Sequence, residues 1–223
     1  MGRFWKRVNR GLLLGGVLLL VLISFIVIKE IQFRAEASQI CDSAKAAVEA
    51  MLSLNVSKEQ TEIGQVRTDE IQGKERLRAE AMLSQYWDAD ADTDCYITVG
   101  SIRESYENYL AAPVCVWVSE IEAEFSDREI EIRGNGPDYA IVTLELDNLA
   151  ARYLGDGEAL YFGEYYGSEV EDEASVGEYL GSYYGYVEME MHRKDGQWRV
   201  CGMNASFYMT NKTPAKTETG GNE

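Results

Sequence analysis

The chain carries 38 acidic side chains, four cysteines and a single histidine, so any chemistry it performs rests on carboxylates and thiols. Asp88, Asp90, Asp92 and Asp94 alternate like the opening of a calcium loop, whose oxygen ligands come from alternate positions. The match is incomplete. Counted from Asp88, the sixth and twelfth positions are Thr93 and Val99 in place of Gly and Glu, and counted from Asp90 they are Cys95 and Ser101. The four aspartates are therefore a weak candidate for a Ca²⁺ site outside the EF-hand class, and no other metal and no cofactor is expected. They follow an expected helix, and negative charge at the negative end of a helix is unfavourable unless a cation compensates it.

Cys41, Cys95, Cys115 and Cys201 allow three pairings into two disulfides. Cys95 and Cys115 flank an expected helix and are the first choice, which leaves Cys41 with Cys201; separate reduced thiols are the alternative. No C-x₂₋₄-C unit exists, so zinc ligation is not expected. His192 falls among glutamates on the polar face of a hairpin and reads as a solvated side chain. No Asp or His can be assigned to an inward-facing strand position as a general base, so no catalytic residue is named and the chain reads as non-enzymatic. Tyr161, Tyr165, Tyr166, Tyr183 and Tyr184 belong to a Tyr/Gly-rich stretch. They form either an amphipathic contact surface or cross-strand pairs in a long hairpin. The sequons at Asn55, Asn204 and Asn211 carry meaning only in a glycosylating host.

The elements that position these residues begin with a membrane segment. Residues 1–10 contain Arg3, Lys6, Arg7 and Arg10 and no acid, and Gly11 to Ile28 runs without a charge. At about 1.5 Å per residue that run spans roughly 27 Å, the thickness of the hydrocarbon core, and the basic flank is expected to stay in the cytoplasm. Residues 29–37 read as a juxtamembrane connector. A cleaved signal peptide ending at Ala35-Glu-Ala37 is the competing reading, though the apolar run is long for one. Residues 38–209 are then an extracytoplasmic domain, and 210–223 a polar, disordered tail.

Charge is distributed accordingly. The whole chain has 21 Lys+Arg and 38 Asp+Glu, a net charge of −17; residues 35–223 alone hold 15 bases and 37 acids, a net −22. Such a domain is repelled by nucleic acid and attracts basic proteins, divalent cations or simply water.

Within the domain, Ile40, Ala44, Ala47, Val48 and Met51 make one stripe of an amphipathic helix. A second helix carries Ala79, Met82, Leu83 and Tyr86. Ser101-Ile-Arg-Glu104 reads as a capping box opening a third, with Ile102, Tyr106, Tyr109 and Leu110 on one face and Pro113 beyond its end. From Cys115 the period becomes two: Trp117, Ile121, Ala123 and Phe125 alternate with glutamates in a half-buried strand. Ile130 and Ile132 lead through a Gly134-Asn-Gly-Pro-Asp138 turn into Tyr139 to Leu146. Asp195-Gly196 is a type I′ turn signal, and a two-residue turn there pairs Met191 with Val200. Residues 154–186 read as an irregular or long-hairpin insertion.

Helices followed by a curved antiparallel sheet that ends in Asp195-Gly-Gln-Trp-Arg-Val200 resemble the nuclear-transport-factor-2-like superfamily over roughly residues 38–209. The resemblance implies an α+β cone: helices packed on a curved antiparallel sheet, here behind a transmembrane helix. Its members include ketosteroid isomerases, polyketide cyclase-like enzymes, binding modules and assembly domains. A signal-anchor before such a domain is similar to the scaffold subunits of bacterial conjugation and type IV secretion machines. That similarity implies partners in a membrane complex, or self-association. The alternative is a pocket for a small apolar ligand or an isomerase- or cyclase-like reaction.

Overall fold

The computed structural model describes residues 10–126, 131–134, 138–155 and 177–215. The chain divides into two units, Met1–Gln39 and Ile40–Glu223, and helix α1 (Arg10–Ser53) contributes to both. In the first unit, the large apolar side chains from Leu13 to Ile28 are exposed among the described residues, and this helix is long and apolar enough to cross a membrane. In the second, Ile40, Ala44, Ala47, Val48 and Met51 are at most 1% exposed, so the expected stripe is a core face.

Helices α2 (Asp69–Tyr86) and α3 (Val99–Ala111) bury Ala79 and Leu83, and Val99, Ile102, Tyr106 and Leu110. The Thr68 side chain caps α2 by accepting from the Ile71 N–H, with Asp69 and Glu70 in its first turn. The capping box of α3 is formed by Thr98 and Ser101, three residues earlier than Ser101 and Glu104 predicted. Thr98 is extended (φ −123°) and exchanges both bonds with Ser101, which satisfies the backbone N–H groups of Thr98 and Ser101.

Arg78 of α2 ties the helices together. Its guanidinium donates to the carbonyls of Leu54 (2.9 Å) and Val56 (2.7 Å) at the end of α1, and pairs with Glu75 at 2.6 Å. Glu75 accepts in turn from the Tyr106 hydroxyl of α3 at 2.9 Å. A cation at the carbonyl end of α1 is the favourable sign for that helix terminus.

The sheet comprises β1 (Val116–Phe125), β2 (Glu131–Gly134), β3 (Tyr139–Gly155), β4 (Gly177–Lys194) and β5 (Gln197–Pro214), all antiparallel. The order is β1-β3-β4-β5, with β2 also pairing β3. The fold class is the expected one, helices packed on a curved antiparallel sheet in a cone-like α+β arrangement. Ala140, Val142, Leu144, Val187, Met189, Met191, Val200 and Met203 are fully buried on the inner face. Asp195 and Gly196 both have positive φ (53° and 80°), as a type I′ turn requires, and Met191 pairs with Val200 as predicted.

Three expectations are corrected. A bulge at Ser119, between Val118 and Glu120, switches the parity of β1. Val116 and Val118 therefore share the inner face with Ile121 and Ala123, and Trp117 leaves it to donate its indole N–H to the Ser57 carbonyl. The stretch read as an irregular or long-hairpin insertion, 154–186, is regular strand at both ends: Leu154 and Gly155 finish β3 and Gly177–Tyr186 begin β4, while 156–176 lie outside the described residues. Likewise Thr210 to Pro214, read as tail, pair with β4 through Ser182↔Asn211 and Tyr179↔Pro214.

Candidate functional site

The segment from Trp87 to Ile97 leaves α2, runs beside β5 and returns to α3. It touches the edge of β5 at two bridges, Trp87↔Val200 and Ile97↔Met203. Between them it folds onto the outer face of the β4–β5 hairpin, held there by a cluster of polar side chains.

Asp88 lies at its centre, 4% exposed. One carboxylate oxygen lies 2.5 Å from His192 Nε2, the other 2.7 Å from Lys194 Nζ, and Lys194 also reaches Asp90 at 3.2 Å. Burial alone would push the Asp88 carboxyl up. The Lys194 ammonium, the Asp90 backbone N–H and His192 outweigh it and hold the group below the usual carboxylate range. Further along, the Thr93 hydroxyl donates to Glu190 at 2.8 Å, and the Tyr96 N–H donates to the Asn204 side chain at 3.0 Å. Burial, with the Glu190 carboxylate beside it, pushes the Tyr139 hydroxyl up to about 12, so Tyr139 stays a neutral donor.

The cation that the aspartate run requires is therefore supplied by the protein. Lys194, at the tip of the hairpin, compensates Asp88 and Asp90, while Asp92 and Asp94 are exposed. Among the described residues no three His, Cys, Asp or Glu side chains converge as metal ligands. His192, expected to be solvated, is instead half-buried and turned to Asp88. Sequence reasoning missed Lys194, Glu190, Thr93 and Tyr139. The signal for Lys194 was present in the need for a cation and the position of the hairpin tip, but no spacing links residues 88 and 194.

A His–Asp contact can orient an imidazole for proton transfer. Here the second carboxylate oxygen is occupied by Lys194, and the adjoining recess of about 150 Å³ has a mixed lining, with Leu83, Trp87 and Val99 beside Asp90, Lys194 and Arg199. The arrangement is that of an ion-pair clasp. Inside the core, Trp87 is 2% exposed and its indole N–H has no hydrogen-bond partner among the described residues.

No disulfide joins the cysteines. The first-choice pair is separated by the length of the sheet. Cys115 lies at Gly155, the end of β3, whereas Cys95 packs on Gly202, whose partner Glu190 faces Ile141 near the start of β3. Fourteen residues of strand cover on the order of 46 Å, far beyond disulfide reach.

Of the tyrosines singled out, Tyr183 is 1% exposed on the inner face, so it is not a surface residue. Tyr184 is exposed on the outer face, where it stacks on Tyr208 of β5 with ring centroids 5.1 Å apart. Leu180 and Tyr186 are exposed beside them. Tyr161, Tyr165 and Tyr166 lie outside the described residues.

No family model matches the chain, and no curated protein matches it. Among the solved structures that superpose on it are LinA proteins, two of them described as hexachlorocyclohexane dehydrochlorinases. A LinA type 2 structure covers 85% of this chain and 93% of its own, at 12% identity and a TM-score of 0.39. A second LinA structure gives 84% and 94%, 14% identity and 0.41. LinA-type3 from Novosphingobium barchaimii LL02 gives 84% and 93%, 12% identity and 0.38. Dehydrochlorination is a property of those proteins.

Proposed function

We propose that this is a single-pass membrane protein whose domain lies outside the cytoplasm and acts, without catalysis, as an interaction or assembly component of a membrane complex. The secretion and conjugation machines are one setting for such a part. The observation that carries this reading is the exposed Leu180, Tyr184, Tyr186 and Tyr208 on the outer sheet face, in a domain otherwise rich in surface charge. Contiguous aromatic side chains supply large contact area at low entropic cost, and they mark contact surfaces. The net −22 of residues 35–223 favours a basic partner or a basic region of one.

The test is site-specific photocrosslinking in native membranes, with the probe at Tyr184 or Tyr208 and, as control, at Glu104 on α3. One discrete cross-linked product from the sheet positions, absent from the helix position, is expected. A monomeric chain with no product from either sheet position would overturn the reading.

A second reading, a nuclear-transport-factor-2-like pocket protein for a small apolar ligand, is favoured by one observation: the unpartnered indole N–H of Trp87 inside the core. A ligand with an acceptor atom would satisfy it. Quenching or shifting of tryptophan emission on titration with apolar ketones, lost in Trp87→Phe, is the outcome that would favour this reading over the first.

A further inference from the structure

Cys95–Cys115 is the first choice among the pairings the sequence allows, but the fold places Cys95 beside Cys201. A β-carbon built on Gly202 would stand only 2.8 Å from the Cys95 β-carbon, so the Cys95 side chain rests directly on the residue that follows Cys201. Cys201 is the extra residue of a bulge in β5: Val200 pairs with Met191 and Gly202 with Glu190, and Cys201 has no opposite number. Bulges re-aim a side chain. Both thiols have Glu190 among their electrostatic neighbours, and Cys201 has Cys95 among its own. Thr93 holds the segment in place, its hydroxyl accepting from the Cys95 N–H at 3.2 Å while donating to Glu190.

We infer that Cys95 and Cys201 form a disulfide that staples the acidic segment to β5 when the domain meets a disulfide-bearing oxidant. The Cys95 thiolate, on the more exposed of the two residues, attacks the oxidant's S–S bond, forms a mixed disulfide and expels one thiolate. The Cys201 thiolate then attacks the Cys95 sulfur and expels the second. The protein loses two protons and two electrons, and the oxidant is reduced to two thiols. Burial pushes both thiols up, Cys201 to about 11, so thiolate is scarce near neutrality and the reaction in the folded chain accelerates as pH rises.

The experiment uses the full chain in detergent, incubated with oxidised glutathione at neutral and mildly alkaline pH, then acid-quenched, alkylated and peptide-mapped. The expected result is the loss of two hydrogen masses, one Cys95–Cys201 linked peptide, and faster conversion at the higher pH. The Cys41→Ser/Cys115→Ser double variant should behave identically, and Cys95→Ser should stop at unlinked thiols or glutathione adducts. Linkage of Cys95 to Cys41 or Cys115, or stable glutathione adducts on the native chain with no internal link, overturns the inference. Because the readout is the link itself, it stands or falls independently of any partner.

Discussion

Asp88 gathers the charges of the outer face into one clasp, and its protonation sets how the clasp responds to acid. Its carboxyl is held below the ordinary range, so the native state binds that proton more weakly than the unfolded chain does. The stabilisation is complete above the unfolded value of about 3.9 and is lost as pH falls through the lower native value. Asp88→Asn should cost about 1–3 kcal/mol at neutral pH by leaving Lys194 and His192 without the carboxylate. Denaturation midpoints should show the gap between wild type and variant closing as pH falls below the unfolded value of about 3.9; a gap unchanged down to acid would contradict this assignment. His192→Gln tests the other arm, and should shift the midpoint less than Asp88→Asn because Lys194 still covers Asp88.

At the scale of elements, Arg78 is the joint between α1, α2 and α3. Arg78→Met strips the carbonyls of Leu54 and Val56 of their donor and leaves Glu75, whose side chain is 12% exposed, without its cation. A loss of about 3–5 kcal/mol in urea unfolding is expected, partly restored by Glu75→Gln in the same chain. These helices were legible in the sequence because Ile40, Ala44, Ala47, Val48 and Met51 keep one period, and the final hairpin because Asp195-Gly196 admits few turns. The long halves of β3 and β4 were not. Gly177, Gly181 and Gly185 read as loop punctuation, whereas in the strand they make room for rings. A β-carbon at Gly185 would meet Phe207 at 2.3 Å, and one at Gly181 would meet Tyr183 at 3.0 Å and Tyr153 at 3.3 Å. The Ser119 bulge was equally hidden, since an extra residue leaves no mark on an alternating pattern until its partner strand is known. In the clasp, the aspartates were visible but Lys194, 106 residues away from Asp88, was not.

For the whole molecule, the reading of a basic cytoplasmic flank, an apolar span and an acidic domain outside predicts its behaviour in cells. The full chain should stay with the membrane pellet after alkaline carbonate washing, and protease added from outside should digest the domain while sparing the membrane segment. Recovery in the soluble fraction after removal of residues up to and including Ala37 would instead establish the cleaved-leader reading. Capture of a basic partner should weaken steeply with salt, because exposed charges separated by more than about 8 Å are screened at physiological ionic strength. The bridges at Trp87 and Ile97 bear on solubility as well. A sheet's last strand offers its bare N–H and C=O groups to any neighbouring chain, and here the acidic segment lies along the first half of that strand like a guard rail. Acid that releases Asp88 from Lys194 would thus do more than lower stability: it would uncover a templating edge while the rest of the sheet is still folded. Light scattering during acid titration should then rise before the tertiary signal is lost, and earlier in Asp88→Asn than in the native chain.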